Sequence, residues 1–312
     1  MAQKSGSPML RVFRSLAANP RKIFIYMNSA HLLNHLPDEK FLRLLWKARF
    51  ETELDLEHPK TFNEKMQWLK LYDRDPLHTR MADKYAVKSY VSPLIGEEHV
   101  IPTLGVWSNP NDIDFFSLPD RFVLKCNHTS GEGLILCRNK ALLNRKEAIA
   151  KLQKAMKDDY YLTYREWPYK DIPRCIIAEP YMEDEKAAAF GLDTLPVYKF
   201  FCFEGEPRII QTIQNDKMPN ESIDYFDPTW TLLPFHQNYP NSEVPTARPE
   251  CLDEMLSMAS ALSQGFHFLR VDLYEINGKV YFSEFTFFSD AGFAPFHPDS
   301  WNETLGSWIY VP

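Results

Sequence analysis

The chain reads as an α+β protein, on three observations. Helical periodicity dominates the residues before Pro119, whereas short strand-like runs dominate those after it. The later strands follow one another across short polar loops with few helices between them, which is the arrangement of antiparallel sheets. Near the end, Asn277-Gly278 separates two apolar–polar alternating runs, the strongest short hairpin signal in the chain. A composition of 45% hydrophobic and 25% charged residues over 312 positions excludes a long disordered or collagen-like chain. The length suits two or three domains, or one large one. No uninterrupted apolar stretch approaches the ~20 residues of a membrane-spanning helix, and the N-terminus shows no secretory apolar region. A cytoplasmic location is therefore expected.

Taken in order, the first segment is basic. Lys4, Arg11, Arg14, Arg21 and Lys22 precede the first acidic residue, Asp38. Met9, Leu10, Val12, Phe13 and Leu16 can form an apolar stripe on a short helix there. That helix is either frayed or core-packed, or it rests peripherally on an anionic membrane surface. Residues 37–50 predict a helix, with Pro37 at its start and Phe41, Leu44, Leu45 and Phe50 near helical spacing. Residues 61–71 predict another, opened by a Thr61/Glu64 capping box. A third is expected over 81–92, followed by a Pro-, Asn- and Asp-rich loop from Pro102 to Pro119. Strands are expected at 121–127, 133–137, 174–182, 197–203, 208–214, 268–276 and 279–285, and helices at 145–157 and 249–265. Pro249 and Gly265 punctuate the last of these helices. No internal repeat or low-complexity tract occurs.

The formal net charge is −7, from 35 basic and 42 acidic residues, which argues against a nucleic-acid partner. Cys126, Cys137, Cys175, Cys202 and Cys251 are odd in number and contain no CxxC pair, so buried thiols are expected and not disulfides or zinc.

Chemistry concentrates at a few positions. Asp272 and Glu284 lie on the two arms of the last hairpin. A two-residue loop run straight back pairs Asp272 with Ser283 and points the two acids to opposite faces. A three-residue loop with Gly278 in a left-handed bulge pairs Ile276 with Val280, Tyr274 with Phe282 and Asp272 with Glu284. The second register gathers the apolar pairs on one face and is preferred. It sets two hard oxygen ligands side by side, a spacing that suits Mg²⁺, although an exposed acidic sheet edge would look the same. Arg270 shares the face of Asp272 and is placed to hold a phosphoryl group or an oxyanion, or simply to pair with that acid. Lys125 ends an apolar run, and Thr129, Ser130, Gly131 and Gly133 after it can offer backbone N–H groups to phosphate or merely form a turn; no GxxxxGK[ST] occurs. Glu179 ends another run. It can read an adenine edge with Met182 supplying a backbone N–H, or be an ordinary strand end. The aromatic tail, Phe285 to Trp308, is expected mostly in the core.

The order of these features resembles the ATP-grasp fold. More narrowly, Thr61-Phe62-Asn63-Glu64-Lys65, Ala82-Asp83-Lys84-Tyr85, FVLKCNHTSG, YKFFCFEGEP and RVDLY…FSEFTF look like the TupA-like ATP-grasp family of polysaccharide and teichuronopeptide biosynthesis, over roughly residues 55–300. The resemblance implies two α+β subdomains gripping ATP. Residues 1–117 would form a mainly helical segment, 118–182 the lid subdomain and 183–312 the subdomain with the Mg²⁺-binding hairpin. It implies Lys84 and Lys125 on phosphates, Thr129, Ser130 and Gly131 in the phosphate loop, and Glu179 and Met182 at the adenine hinge. Glu183 or Glu185 would meet the ribose, Lys199 would approach phosphate, Asp272 and Glu284 would hold Mg²⁺, and Arg270 would lie near the acyl-phosphate. Many members end in Glu-x-Asn; here the run is Glu284-Phe285-Thr286, so Thr286 or Asp290 would complete the metal set.

The implied activity is that of a ligase. ATP phosphorylates a carboxylate, here of a uronic acid or similar saccharide, and an amino acid or other amine attacks the acyl-phosphate. Two other classes stay open: a metal-dependent glycosyltransferase, on the Asp112-Ile113-Asp114 pattern, and a nucleotide-binding module without catalysis.

Overall fold

The computed structural model describes residues 22–185, 195–216 and 218–312. The apolar stripe over residues 9–16 lies outside them. Two antiparallel sheets organise the rest. The first has the order β1-β4-β2-β3, from Gly105–Trp107 (β1), Phe122–Cys126 (β2), Ile135–Cys137 (β3) and Ile176–Pro180 (β4). The second has the order β7-β6-β5-β8-β9, from Val197–Phe203 (β5), Glu206–Gln214 (β6), Ser222–Phe226 (β7), Phe268–Ile276 (β8) and Lys279–Thr286 (β9). β1, β7 and a terminal helix, Ser300–Ser307, had no clear sequence signal; β1 falls inside the stretch read as loop.

Helix Arg145–Ala155 covers the first sheet, burying Ala148, Leu152 and Ala155 against Phe122, Leu124 and Ile176. Helix Leu252–Ser263 covers one face of the second sheet, where Cys202, Leu269, Val271 and Leu273 are fully buried. The opposite face is divided along its length. At one end Phe203 and Phe268 pack with Phe62 and Trp308, with ring centroids 5.0 Å apart for Phe62–Phe268 and 5.1 Å for Phe203–Trp308. At the other end the same face turns polar.

Local chemistry sets the helix ends. The Thr61 hydroxyl accepts from the Glu64 N–H at 3.2 Å, and the Glu64 carboxylate accepts from the Thr61 N–H at 2.9 Å, the reciprocal capping box the sequence predicts. The helix expected over 81–92 is broken instead into Pro76–Ala82 and Val87–Ile95. Asp83 causes the break. Its carboxylate accepts from the Tyr85 and Ala86 N–H groups at 2.8 and 3.2 Å and from the Asn127 amide at 2.9 Å. A short polar side chain thus outcompetes the helical ladder, and Lys84 is left in the gap.

The tail is core, as expected: Phe285, Phe287, Phe288, Phe293 and Phe296 are all buried. All five cysteines are free, and burial pushes the thiols of Cys126 and Cys202 up to about 11 and about 12. No described helix is long and apolar enough to cross a membrane.

Helix Ser300–Ser307 seats Gly306 directly on the backbone at the start of helix Phe62–Tyr72. A Cβ at Gly306 would lie 2.1 Å from the Lys60 carbonyl oxygen and 2.7 Å from the Thr61 carbonyl carbon. Main chain cannot yield as a side chain can, so Gly306→Ala is expected to destabilise the protein by about 1–3 kcal/mol. Urea denaturation measures this, and an unchanged midpoint would contradict the packing.

Candidate functional site

One row of side chains crosses all five strands of the second sheet on its polar face. Glu284 pairs with Asp272, Asp272 with Lys199, Lys199 with Gln211, and Gln211 with Tyr225. The next row begins with Thr286 and Arg270. Strand alternation alone places these groups on one face.

The register of β8 and β9 arises differently from the sequence-based expectation. Asn277 (φ 52°) and Gly278 (φ 74°) both take left-handed conformations, so the turn has two residues and Ile276 pairs with Lys279. Running back, Tyr274 faces Tyr281 and Leu273 faces Phe282; the pairing then skips Ser283, and Asp272 faces Glu284. The bulge sits beside the acids and not at the turn. Without it Asp272 would oppose Ser283, and Glu284 would point toward helix Leu252–Ser263.

Cations neutralise this acidic pair. Arg270 grips Asp272 with two parallel bonds, Nε to Oδ1 and Nη2 to Oδ2, each 2.8 Å. The same guanidinium donates to the Thr286 hydroxyl at 2.9 Å and the Ser289 hydroxyl at 3.3 Å. Lys84 Nζ lies 2.6 Å from Glu284 Oε2, and Lys199 Nζ lies 3.9 Å from Asp272 Oδ2. Burial alone would raise the Glu284 carboxyl, but Lys84, Arg270 and Lys199 outweigh it and hold it well below the usual carboxylate range. For Lys199, burial and the neighbouring Arg270 lower the ammonium against the pull of Asp272.

A second charged group stands on the first sheet. Glu179, buried on β4, lies 2.7 Å from Lys125 on β2 and 2.6 Å from Lys88 on helix Val87–Ile95. Burial opposes ionisation of Glu179, yet the two lysines keep its carboxyl low. Its carboxylate is thus taken up by lysines and does not stand free at a strand end. The two groups are joined through the Lys84 N–H, which donates to the Asn127 carbonyl just beyond β2 at 3.1 Å.

A cavity of about 400 Å³ opens over the polar face, bounded by Ser130, Glu166, Lys199, Arg270, Glu284 and Asp290 among others. Ser130 lies beside Tyr160 on the cavity wall. Thr129 turns inward and donates to the Glu132 carbonyl at 2.7 Å. Gly131 (φ 96°) has open space where a side chain would be, so its backbone stays approachable. Met182 is half-buried beyond β4, while Glu183 is exposed and paired with Arg121 at 2.9 and 3.1 Å. The Glu185 N–H donates to the Asn277 side chain at 2.9 Å, fastening this segment to the hairpin turn. Asp112 and Asp114 lie in an exposed loop, where Asp114 caps a turn by accepting from the Phe116 N–H at 3.0 Å.

Sequence reasoning missed Lys88, Glu166 and the two tyrosines of the wall, Tyr160 and Tyr169. Lys88 alone left a signal, a second lysine four positions after Lys84.

Among the described residues no three His, Cys, Asp or Glu side chains converge as a ready metal cage. Asp272, Glu284 and Thr286 nevertheless share one face and offer only hard oxygen donors, a set that fits a divalent cation of the Mg²⁺ type. Such an ion would compete with Arg270 for Asp272 and with Lys84 for Glu284.

Comparison with known proteins gives one extended match. The family described as TupA-like ATPgrasp matches residues 64–310. No curated protein matches the chain. Solved structures that resemble it include N5-carboxyaminoimidazole synthetase from Staphylococcus aureus, at 15% identity over 66% of this chain and 44% of that one, with a TM-score of 0.38. They also include D-alanine–D-alanine ligase from Bacillus anthracis, at 16% identity over 66% and 56%, TM-score 0.38. The Helicobacter pylori D-alanine–D-alanine ligase matches at 18% identity over 72% and 61%, TM-score 0.37. The chain thus spans about half the length of the solved structures it resembles.

The Lys84–Glu284 pair makes an acid-side prediction. The Glu284 carboxyl is depressed from an ordinary value of 4.5, so its contribution to stability is complete above that value and is lost as pH falls through the depressed one. In Lys84→Met the depression shrinks, and the acid limb of the stability curve should move to higher pH. Urea midpoints followed down the acid range measure this; superimposable limbs would show that Lys84 does not act as the counter-ion.

Proposed function

The chain belongs to the TupA-like ATP-grasp family, and from that premise we propose that it is an ATP-dependent ligase joining a carboxylate to an amine. The acid is a uronic acid or related saccharide carboxylate, the nucleophile an amino acid or small amine, and the setting surface polysaccharide synthesis. The observation that carries this reading is the convergence of Lys84, Lys199 and Arg270 on a directly opposed Asp272–Glu284 pair beside a polar cavity. Such a site neutralises developing phosphoryl charge and needs no protein nucleophile.

In this proposal the first sheet is the lid, with β2, β3 and β4 inside residues 118–182 and β1 added from the segment before them, and the second, within 183–312, is the base. Lys125 turns from Glu179 to the phosphates while Lys88, held also by the Ile101 carbonyl and the Thr103 hydroxyl, keeps Glu179 paired, and the backbone of Thr129, Ser130 and Gly131 closes over the phosphates. Glu179 and Met182 line the adenine end, with Glu183 or Glu185 at the ribose. Asp272, Glu284 and Thr286 would hold Mg²⁺, which would supply neutralisation of phosphate charge. Arg270, freed in part from Asp272, stabilises the oxyanion as the carboxylate oxygen takes up the phosphoryl group and ADP departs. The amine then displaces phosphate.

The glycosyltransferase reading draws little support, because Asp114 serves a turn in an exposed loop away from the cavity lining. A module that only binds nucleotide would bind ATP and release no ADP with any acceptor.

ADP release should require both an acid and an amine. Asp272→Asn should lower it by roughly a hundredfold or more, as expected for loss of a group that organises transition-state charge. ADP formed with a hydroxyl acceptor alone, yielding a stable phosphate ester, would refute the ligase. Mg²⁺–ATP should raise the melting temperature; a rise with sugar nucleotides and none with ATP would favour glycosyl transfer.

A further inference from the structure

Glu166 is a buried acid that the proposed phosphate chemistry leaves without a task. It is 3% exposed and forms part of the cavity wall together with Lys199, Arg270 and Glu284. The residues on either side clamp it in place. Arg165 before it takes a left-handed conformation (φ 58°), lies 4.4 Å from the Phe41 ring centroid, and donates to the carbonyls of Leu33, Asn34 and Leu36 at 3.1, 3.2 and 3.3 Å. Trp167 after it donates its indole N–H to the Asp73 carbonyl at 3.0 Å. The backbone that carries Glu166 is thus anchored on both sides.

Buried carboxylates are ordinarily paired or hydrogen-bonded. The two cations that act most on Glu166 are already engaged. Lys70, fully buried nearby, directs its three N–H bonds to Gln67 Oε1 at 3.1 Å, the Tyr164 carbonyl at 3.0 Å and the Ala291 carbonyl at 2.8 Å. Arg270 is committed to Asp272, Thr286 and Ser289. What acts on Glu166 is burial, which raises its carboxyl, and through-space attraction from Lys70 and Arg270, which opposes that rise, with Asp290 adding to it; among the described residues no hydrogen bond joins these influences. The phenols of Tyr160 and Tyr169, also on the wall, are raised by their own burial and do not compete for its charge.

We propose that Glu166 receives the ammonium group of the amine substrate and takes the proton that must leave before the nitrogen can attack. The inference rests on the ligase reading. An amine arrives protonated at neutral pH and is not a nucleophile in that form. The Glu166 carboxylate removes one proton, giving a carboxylic acid and a neutral amine. The nitrogen lone pair then forms the C–N bond, the C–O bond to phosphate breaks, and the second nitrogen proton leaves with the departing phosphate. Lys199 and Arg270, on the same cavity, mark where the acyl-phosphate would stand, so acid and electrophile face one space.

The test compares two nucleophiles with the acid that supports ADP release. One is the amine that supports it, which must lose a proton. The other is hydroxylamine, which is uncharged at neutral pH and needs no base. In Glu166→Gln, hydroxamate formation should stay within about twofold of wild type. Amide formation should fall by roughly a hundredfold, the ordinary contribution of a general base, with the KM for the amine raised and that for ATP unchanged. Equal loss of both products in a variant that keeps the wild-type melting temperature and its response to ATP would overturn the inference, as would no loss of either. Should Glu166→Gln fail to fold, Glu166→Asp decides by the same measurement: a reduced ratio of amide to hydroxamate supports the role, and an unchanged ratio overturns it. A wild type that yields neither product refutes the ligase reading itself, a result distinct from failure of the Glu166 role alone.

Discussion

The two-pronged grip of Arg270 on Asp272 is the interaction around which the site is built. Both side chains are buried, at 8% and 2% exposure, and each charge would be costly there alone. Breaking such a pair from one side typically costs about 3–5 kcal/mol, since the remaining charge is stranded. The planar guanidinium matches the carboxylate with two parallel bonds and still has donors for Thr286 and Ser289. A lysine would supply charge without that geometry. With Arg270 fixed, Lys199 approaches Asp272 from one side and Glu284 opposes it from the other, so the position of every neighbour is defined against this pair.

The sheet can carry so polar a row because its two faces do different work. Leu269, Val271 and Leu273 bury the apolar side of β8 under helix Leu252–Ser263, while Phe268 closes one end of the opposite face with Phe62 and Trp308. Hydrophobic burial at these places stabilises a surface on which charges can be concentrated. The Ser283 bulge is the local device that makes the two demands compatible. It keeps Phe282 in the core and still turns Glu284 to the polar face, which an uninterrupted ladder with this turn cannot do.

Much of this was legible in the sequence wherever the cause is local. The capping box at Thr61 and Glu64 is read from two residues, and the alternation through Phe268–Ile276 is read from its period. The opposition of Asp272 and Glu284 was anticipated by way of the wrong turn, because apolar pairing demanded it and a bulge can be placed at more than one position to satisfy that demand. What the sequence hid depends on distant partners. Asp83 breaks its helix partly for Asn127. β1 exists because β4 offers it an edge, with Gly105 facing Ala178. Glu166 looks like an ordinary surface acid until Arg165 and Trp167 are seen anchored to segments far away in the chain.

The two charged groups share a design. Counting only groups in direct ion contact, the Asp272–Glu284 pair faces three cations, and Glu179 faces two. Each group thus carries an excess of positive charge within a chain whose net charge is −7. The carboxylates keep the cations aligned in a low-dielectric setting, where unpaired ammonium groups would repel one another or lose their protons. They do not satisfy all of them. Lys88 also donates to the Ile101 carbonyl at 2.8 Å and the Thr103 hydroxyl at 2.9 Å, whereas among the described residues Lys125 has only its share of the Glu179 carboxylate. A multiply charged phosphate chain offers more oxygen acceptors and more charge than one carboxylate, and so competes well for Lys125. Pairing that is sufficient to position the cations and insufficient to saturate them is what an anion site requires before its ligand arrives.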